Sequence, residues 1–159
     1  SKDKMLEALV LFRTDDLAIQ IENLSKELLS PLEKIMRLVD LYISRINKNK
    51  DIYKIMHFEL STKKRILNFE SFSQVKKRNS ASLRQIINEG QKEGIFNLDV
   101  NIDLLASTIL GTFFHFQMSR PYYETILDLP NDAAFENYVK TDLTKHIQQT
   151  IKALLLYDK

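Results

Sequence analysis

Gly90 and Gly94, four residues apart at the end of a helical pattern, constrain this chain more than any other feature of its sequence. They lie in the stretch from Ile86 to Asn101, behind Leu83, Ile86 and Ile87 at helical spacing. A glycine just past such a pattern takes the left-handed conformation that stops a helix, so either glycine can end this one. Ile95 and Phe96 are apolar in the connector and are expected to fold back onto the core. Asn101 then caps a new helix from Ile102, with Asp103 in its first turn. The joint turns one long helix into another. Only three glycines and three prolines occur in 159 residues, which favours long helices over turn-rich β structure.

The remaining chain reads as helices too. Ser1 is an N-cap with Asp3 in the first turn, and Met5, Leu6, Leu9, Val10, Leu17, Ile21 and Leu24 follow helical spacing. Ser30-Pro31-Leu32-Glu33 combines an N-cap serine, proline at the first helical position and the glutamate of a capping box. Leu32, Ile35, Met36, Val39, Ile43 and Ile46 continue as one stripe, Glu33 and Arg37 are spaced for an i,i+4 pair, and Asn47-Lys48-Asn49-Lys50 makes a polar connector. A third helix carries Ile52, Ile55, Met56 and Glu59 and is interrupted at Ser61-Thr62-Lys63-Lys64-Arg65. A fourth runs from about Asn68 to Glu89 with Ser80-Ala81-Ser82 midway. The helix from Ile102 to Met118 is apolar nearly all round and must be buried on more than one side. Pro121 limits it, Tyr122 to Pro130 reads as loop, and a last helix runs from about Asn131 to Leu156.

Composition excludes several classes. With no cysteine there is neither disulfide nor thiolate chemistry, and a net charge of +2 is too small to argue for nucleic acid. No apolar run approaches the ~20 residues that span a bilayer, and the N-terminus lacks a signal-peptide profile, so a cytoplasmic protein without membrane association is expected. Asp142 and His146 are four apart, but without an HExxH-like motif they read as a helix-surface or dimer-contact pair. No glycine-rich phosphate loop and no G-x-S-x-G serine occur, and the chain is not expected to be an enzyme or to carry a cofactor or metal. The basic runs Lys63-Lys64-Arg65 and Lys76-Lys77-Arg78 read as solvated faces, with one member of the second snorkelling across apolar surface.

Leu83, Ile86, Ile87, Glu89, Gly90, Gly94 and Phe96, followed by Ala106, Ile109 and Gly111, resemble the "L-x-x-I-I-x-E-G-x-x-x-G-x-F … D … A-x-x-I-x-G" pattern of the TetR family of bacterial repressors. Ser1-Lys2-Asp3-Lys4-Met5-Leu6 resembles the segment that opens the family's fourth helix, directly after its DNA recognition helix. Ile102 departs from the proline many relatives carry there. The resemblance implies an all-α, multi-helix orthogonal bundle over residues 1–159, an effector-binding and dimerisation domain. Residues 1–27 would then be the connecting helix after a missing helix-turn-helix head. It further implies a homodimer through the last two long helices, with Gly111 and Thr112 allowing close approach and Ile147, Ile151 and Leu154 supplying area.

An effector cavity is implied as well, for a small apolar or amphipathic molecule. From helix phase its lining is Met56, Phe72 and Phe113, with Glu59 and Gln117 orienting a polar end; Thr112 and His115 are further polar candidates. Operator DNA would be contacted only through the missing head. Two other readings stay open from the residues: a small helical enzyme with a buried hydrophobic site, and a helical adaptor without a ligand.

Overall fold

A computed structural model describes residues 1–61 and 69–156, with side chains except at positions 60, 61, 69, 71 and 72. Helix α1 (Lys2–Ser25) starts at Ser1, whose hydroxyl accepts from Lys4 N at 3.3 Å. It buries Val10, Leu17, Ala18, Ile21 and Leu24, whereas Met5 and Leu9 from the expected stripe are exposed. Helix α2 (Pro31–Lys48) opens with the full capping box. Glu33 N donates to Ser30 Oγ at 3.2 Å, and Ser30 N donates to Glu33 Oε2 at 3.3 Å. The box engages Glu33, so Arg37 pairs with Glu27 at 3.2 Å instead of making the expected i,i+4 contact.

The polar connector shrinks to one residue. Asn49 N donates to Arg45 O and Ile46 O to end α2, while Asn49 O accepts from Ile52 N and Tyr53 N to start α3 (Lys50–Ser61). Helix α4 (Phe69–Lys92) runs through Gly90, and Gly94, at φ +71°, is the residue in the left-handed region. Gly90 serves a different need: a Cβ there would run into the Phe96 ring. Phe96 is 1% exposed and bridges Leu156, and Asn97 N donates to Leu155 O at 2.6 Å. Ile95, expected on the core, stays 38% exposed because only alternate residues of this extended segment face inward.

Helix α5 (Ile102–Met118) follows Asn101, whose side chain makes no capping bond. Asp103, instead of remaining free in the first turn, pairs with Arg84 of α4 at 2.7 Å. The expected loop after Pro121 contains helix α6 (Arg120–Ile126). Its Arg120 reaches Glu124 at 3.3 Å and Asp132 at 2.5 Å and lies 4.1 Å over the Phe135 ring, tying α6 to α7 (Asp132–Tyr138).

The expected last helix is present but interrupted by a π-turn at Val139–Leu143 before α8 (Thr144–Leu155). There the Thr144 N–H reaches back to Val139 O, and its hydroxyl donates to the same carbonyl at 2.8 Å. The outcome is an all-α bundle around α2, which packs against α1, α3, α4, α5 and α8. Phe96, Phe113, Phe135, Ile86, Ile109 and Ile147 are all within 2% of full burial, each contributing ~1.5–3 kcal/mol of apolar transfer. No described helix is long and apolar enough to cross a membrane.

Candidate functional site

A cavity of about 510 Å³ opens between α3, α4 and α5. Helix α3 supplies Tyr53, Met56 and His57, spaced i, i+3, i+4, so one face of a single turn meets the space. Helix α5 supplies Ser107, Leu110, Gly111, Phe114, His115 and Met118, an i, i+3, i+4 progression over three turns. Helix α4 supplies Lys76. The His57 imidazole stacks on Phe114 with centroids 5.6 Å apart, and Phe114 meets Phe113 edge to face at the same separation. His115 Nδ1 is 3.2 Å from the Tyr123 hydroxyl of α6.

Two ionisable groups of the wall are perturbed, both chiefly by burial. Low surrounding polarity disfavours the ammonium of Lys76 and lowers its pKa. The Tyr53 hydroxyl is pushed above its ordinary value, first by burial and then by the neighbouring Tyr42 and Asp16. The snorkelling member expected in the run Lys76-Lys77-Arg78 is therefore Lys76, which is half-buried while Lys77 is exposed. Arg78 turns the other way and binds α1, at 2.5 Å to Asp15 and 2.9 Å to Glu22. That hydrogen bond holds the Glu22 carboxyl below the usual range. One helix thus lines the cavity and, half a turn on, grips α1.

The expected effector residues separate. Met56 lines the cavity. Phe113 is fully buried in the core behind Phe114 and borders only a recess of about 120 Å³. Gln117 turns from the cavity as well: its Nε2 donates to Asn47 Oδ1 at 3.0 Å. Asn47 in turn donates to Glu136 Oε2 at 2.7 Å, joining α2, α5 and α7. Glu59 is 5% exposed but is not in the cavity wall. Phe72 lies outside the described side chains, and Lys63-Lys64-Arg65 outside the described residues. Because α5 is apolar nearly all round, periodicity did not choose its face; the cavity takes Phe114 and Met118, one position on from Phe113 and Gln117. His57, Lys76, Ser107 and Leu110 went unselected, and the signal that could have found them is the same i, i+3, i+4 phase anchored on Met56.

A second cleft of about 610 Å³ lies on the other side of α5, beside the π-turn. Gly111, Thr112 and His115 face Tyr123, Tyr138, Asp142 and His146 there. Among the described residues no group of three or more potential ligands is placed to hold a metal ion. Of the residues expected to pair two copies, Gly111 is exposed, Thr112 half-buried and Leu154 46% exposed. Ile147 and Ile151 are each 1% exposed inside a single chain. Their area already belongs to the protomer's core, packed toward α2 and α5, so neither has surface left for a partner.

Residues 31–151, well over half of the chain, match the family described as Tetracyclin repressor-like, C-terminal domain. The chain belongs to this TetR-like C-terminal domain family. Among curated proteins and among solved structures, none matches it. In the TetR-like domain described here the matched segment runs from the capping-box proline of α2 into α8, and so contains every residue lining both the cavity and the cleft. The chain is accordingly a TetR-like regulatory domain with an all-α fold.

Proposed function

We propose that this domain is the effector-binding and dimerisation part of a TetR-like repressor. It would hold a small, largely apolar molecule between α3, α4 and α5 and thereby control DNA binding by a helix-turn-helix head joined at the start of α1. The observation that carries this reading is the cavity itself, with Met56, Leu110, Phe114 and Met118 in its wall and a size typical of ligand pockets. No catalytic role is assigned to it.

Signal transfer follows from α4. A ligand can act at a distance only by favouring one helix placement over another. Lys76 touches the cavity while Arg78 is bonded to Asp15 and Glu22, so a shift of α4 is passed to α1 through two charged contacts. A coupling of about 1–3 kcal/mol changes operator affinity roughly 5–150-fold. Two copies would meet through the exposed face of α5, with Gly111 and Thr112 at the closest approach, and Leu154 of α8 beside them. The partners of this reading are a second copy, the effector and, through the head alone, operator DNA.

Binding of the neutral fluorophore Nile red tests the cavity. The chain should bind it, and Met56→Trp, which fills the space, should abolish binding while the fold survives in a thermal melt. Full binding by a folded Met56→Trp variant would place the ligand elsewhere. The reading frame upstream of Ser1 tests the DNA arm, where a helix-turn-helix is expected and another kind of domain would remove it.

A further inference from the structure

All ionisable side chains of one sign gather on the cavity wall. Lys76, His57 and His115 line it, and no carboxylate does among the described residues. The remainder of the wall is apolar apart from Ser107, the Tyr53 hydroxyl and the Gly111 backbone. A cation held against such a surface is poorly solvated, and the fall in the Lys76 pKa has that cause. An anion brought into the same space restores the lost solvation by a charge-assisted hydrogen bond, which a neutral ligand of the same shape does not. A cationic ligand would meet like charge in a medium of low polarity.

We propose that the cavity between α3, α4 and α5 selects an amphipathic anion: an apolar chain or ring body ending in a carboxylate, with the carboxylate at Lys76 and His57. The proposal rests on the effector-binding reading and gives that site its ligand class. The apolar body lies along Met56, Leu110, Phe114 and Met118, whose flexible thioethers adapt to chains of different length. His57 is exposed at the rim and stacked on Phe114, so it can meet the anion where the cavity opens to water. Lys76 sits two residues before Arg78, so the anion engages the stretch of α4 that holds α1.

Matched twelve-carbon probes separate the charge from the chain. Dodecanoate, dodecanol and dodecylamine are titrated below their micellar concentrations against bound Nile red at pH 7. Dodecanoate should displace the dye with an affinity roughly tenfold or more above dodecanol, the worth of one hydrogen bond to a charged group, and dodecylamine should be weakest. Lys76→Met should bring dodecanoate down to the level of dodecanol and leave dodecanol itself unchanged. Lys76→Arg should keep the preference. His57→Gln, at an exposed position, provides a second loss should Lys76→Met fail to melt cooperatively. Equal displacement by dodecanoate and dodecanol, or an undiminished preference in folded Lys76→Met, would overturn the anion selectivity while leaving the cavity as an apolar site. Failure of Nile red itself to bind would instead strike the effector-binding reading.

Discussion

Replacing Gly90 with alanine adds one methyl group at the tightest point of the helix joint. An ideal Cβ there collides with the Phe96 ring. That ring cannot swing outward, because it is 1% exposed and its backbone is held on both sides. Ile95 N and Phe96 N donate to Gly90 O at 2.9 and 3.1 Å, Phe96 bridges Leu156, and Asn97 N is bonded to Leu155 O. Two effects oppose each other. Alanine within a helix gains ~1 kcal/mol over glycine, whereas overpacking a filled site costs about 1–3 kcal/mol. The obstacle is a buried ring with its main chain fixed, so the upper part of that range applies and the net loss should be about 1–2 kcal/mol. For a chain of this length that lowers Tm by roughly 3–8 °C. Urea denaturation of Gly90→Ala, Phe96→Leu and the double variant measures the coupling directly. Shrinking the ring should remove most of the alanine penalty, giving a coupling of about 1 kcal/mol or more. A Gly90→Ala variant as stable as the parent would refute the close-approach argument and leave only a helix-propensity effect.

Lys34 has a side chain only 5% exposed and donates to Ser25 O and Glu89 Oε2, each at 3.0 Å. Glu89→Ala removes its charged partner and should cost about 1–2 kcal/mol in urea melts, moderated because Glu89 is one-third exposed. Burial pushes the Tyr42 hydroxyl up to about 12. The folded chain then keeps a proton that the unfolded chain releases above about pH 10, so this contribution is complete below pH 10 and fades towards pH 12. Tyr42→Phe should recover roughly 1 kcal/mol of the stability lost between pH 9 and pH 11, and an unchanged alkaline slope would count against the burial. A side chain at Gly111 meets open space within one chain. Gly111→Arg should therefore fold normally yet sediment as a monomer at micromolar concentration, with Leu154→Glu giving the same result away from the cavity; dimers persisting in both would move the interface elsewhere.

Local chemistry was legible in the residues alone. Ser30, Pro31 and Glu33 announced the start of α2, since a capping box needs only backbone groups within one turn. The glycine pair announced the joint and, with Leu83 to Gly111, the family, because a left-handed φ at Gly94 and a missing Cβ at Gly90 tolerate few other residues. The π-turn at Val139–Leu143 left no mark, as it arises where Thr144 bonds twice to one carbonyl under the packing of α8. The same holds for Arg37, which found Glu27 once Glu33 was engaged by its cap.

The site divides along the same line. That α5 must be covered on several sides followed from its composition, but which face met a cavity, a core or solvent did not. A helix with apolar residues at every phase carries no periodic signal, so only its neighbours decide that Phe113 is core, that Phe114 lines the cavity and that Gly111 is left open. Ile147 and Ile151 show the converse. Their stripe was correctly read as buried, but α2 and α5 of the same chain cover it, because a periodic apolar face specifies burial without specifying which surface provides it.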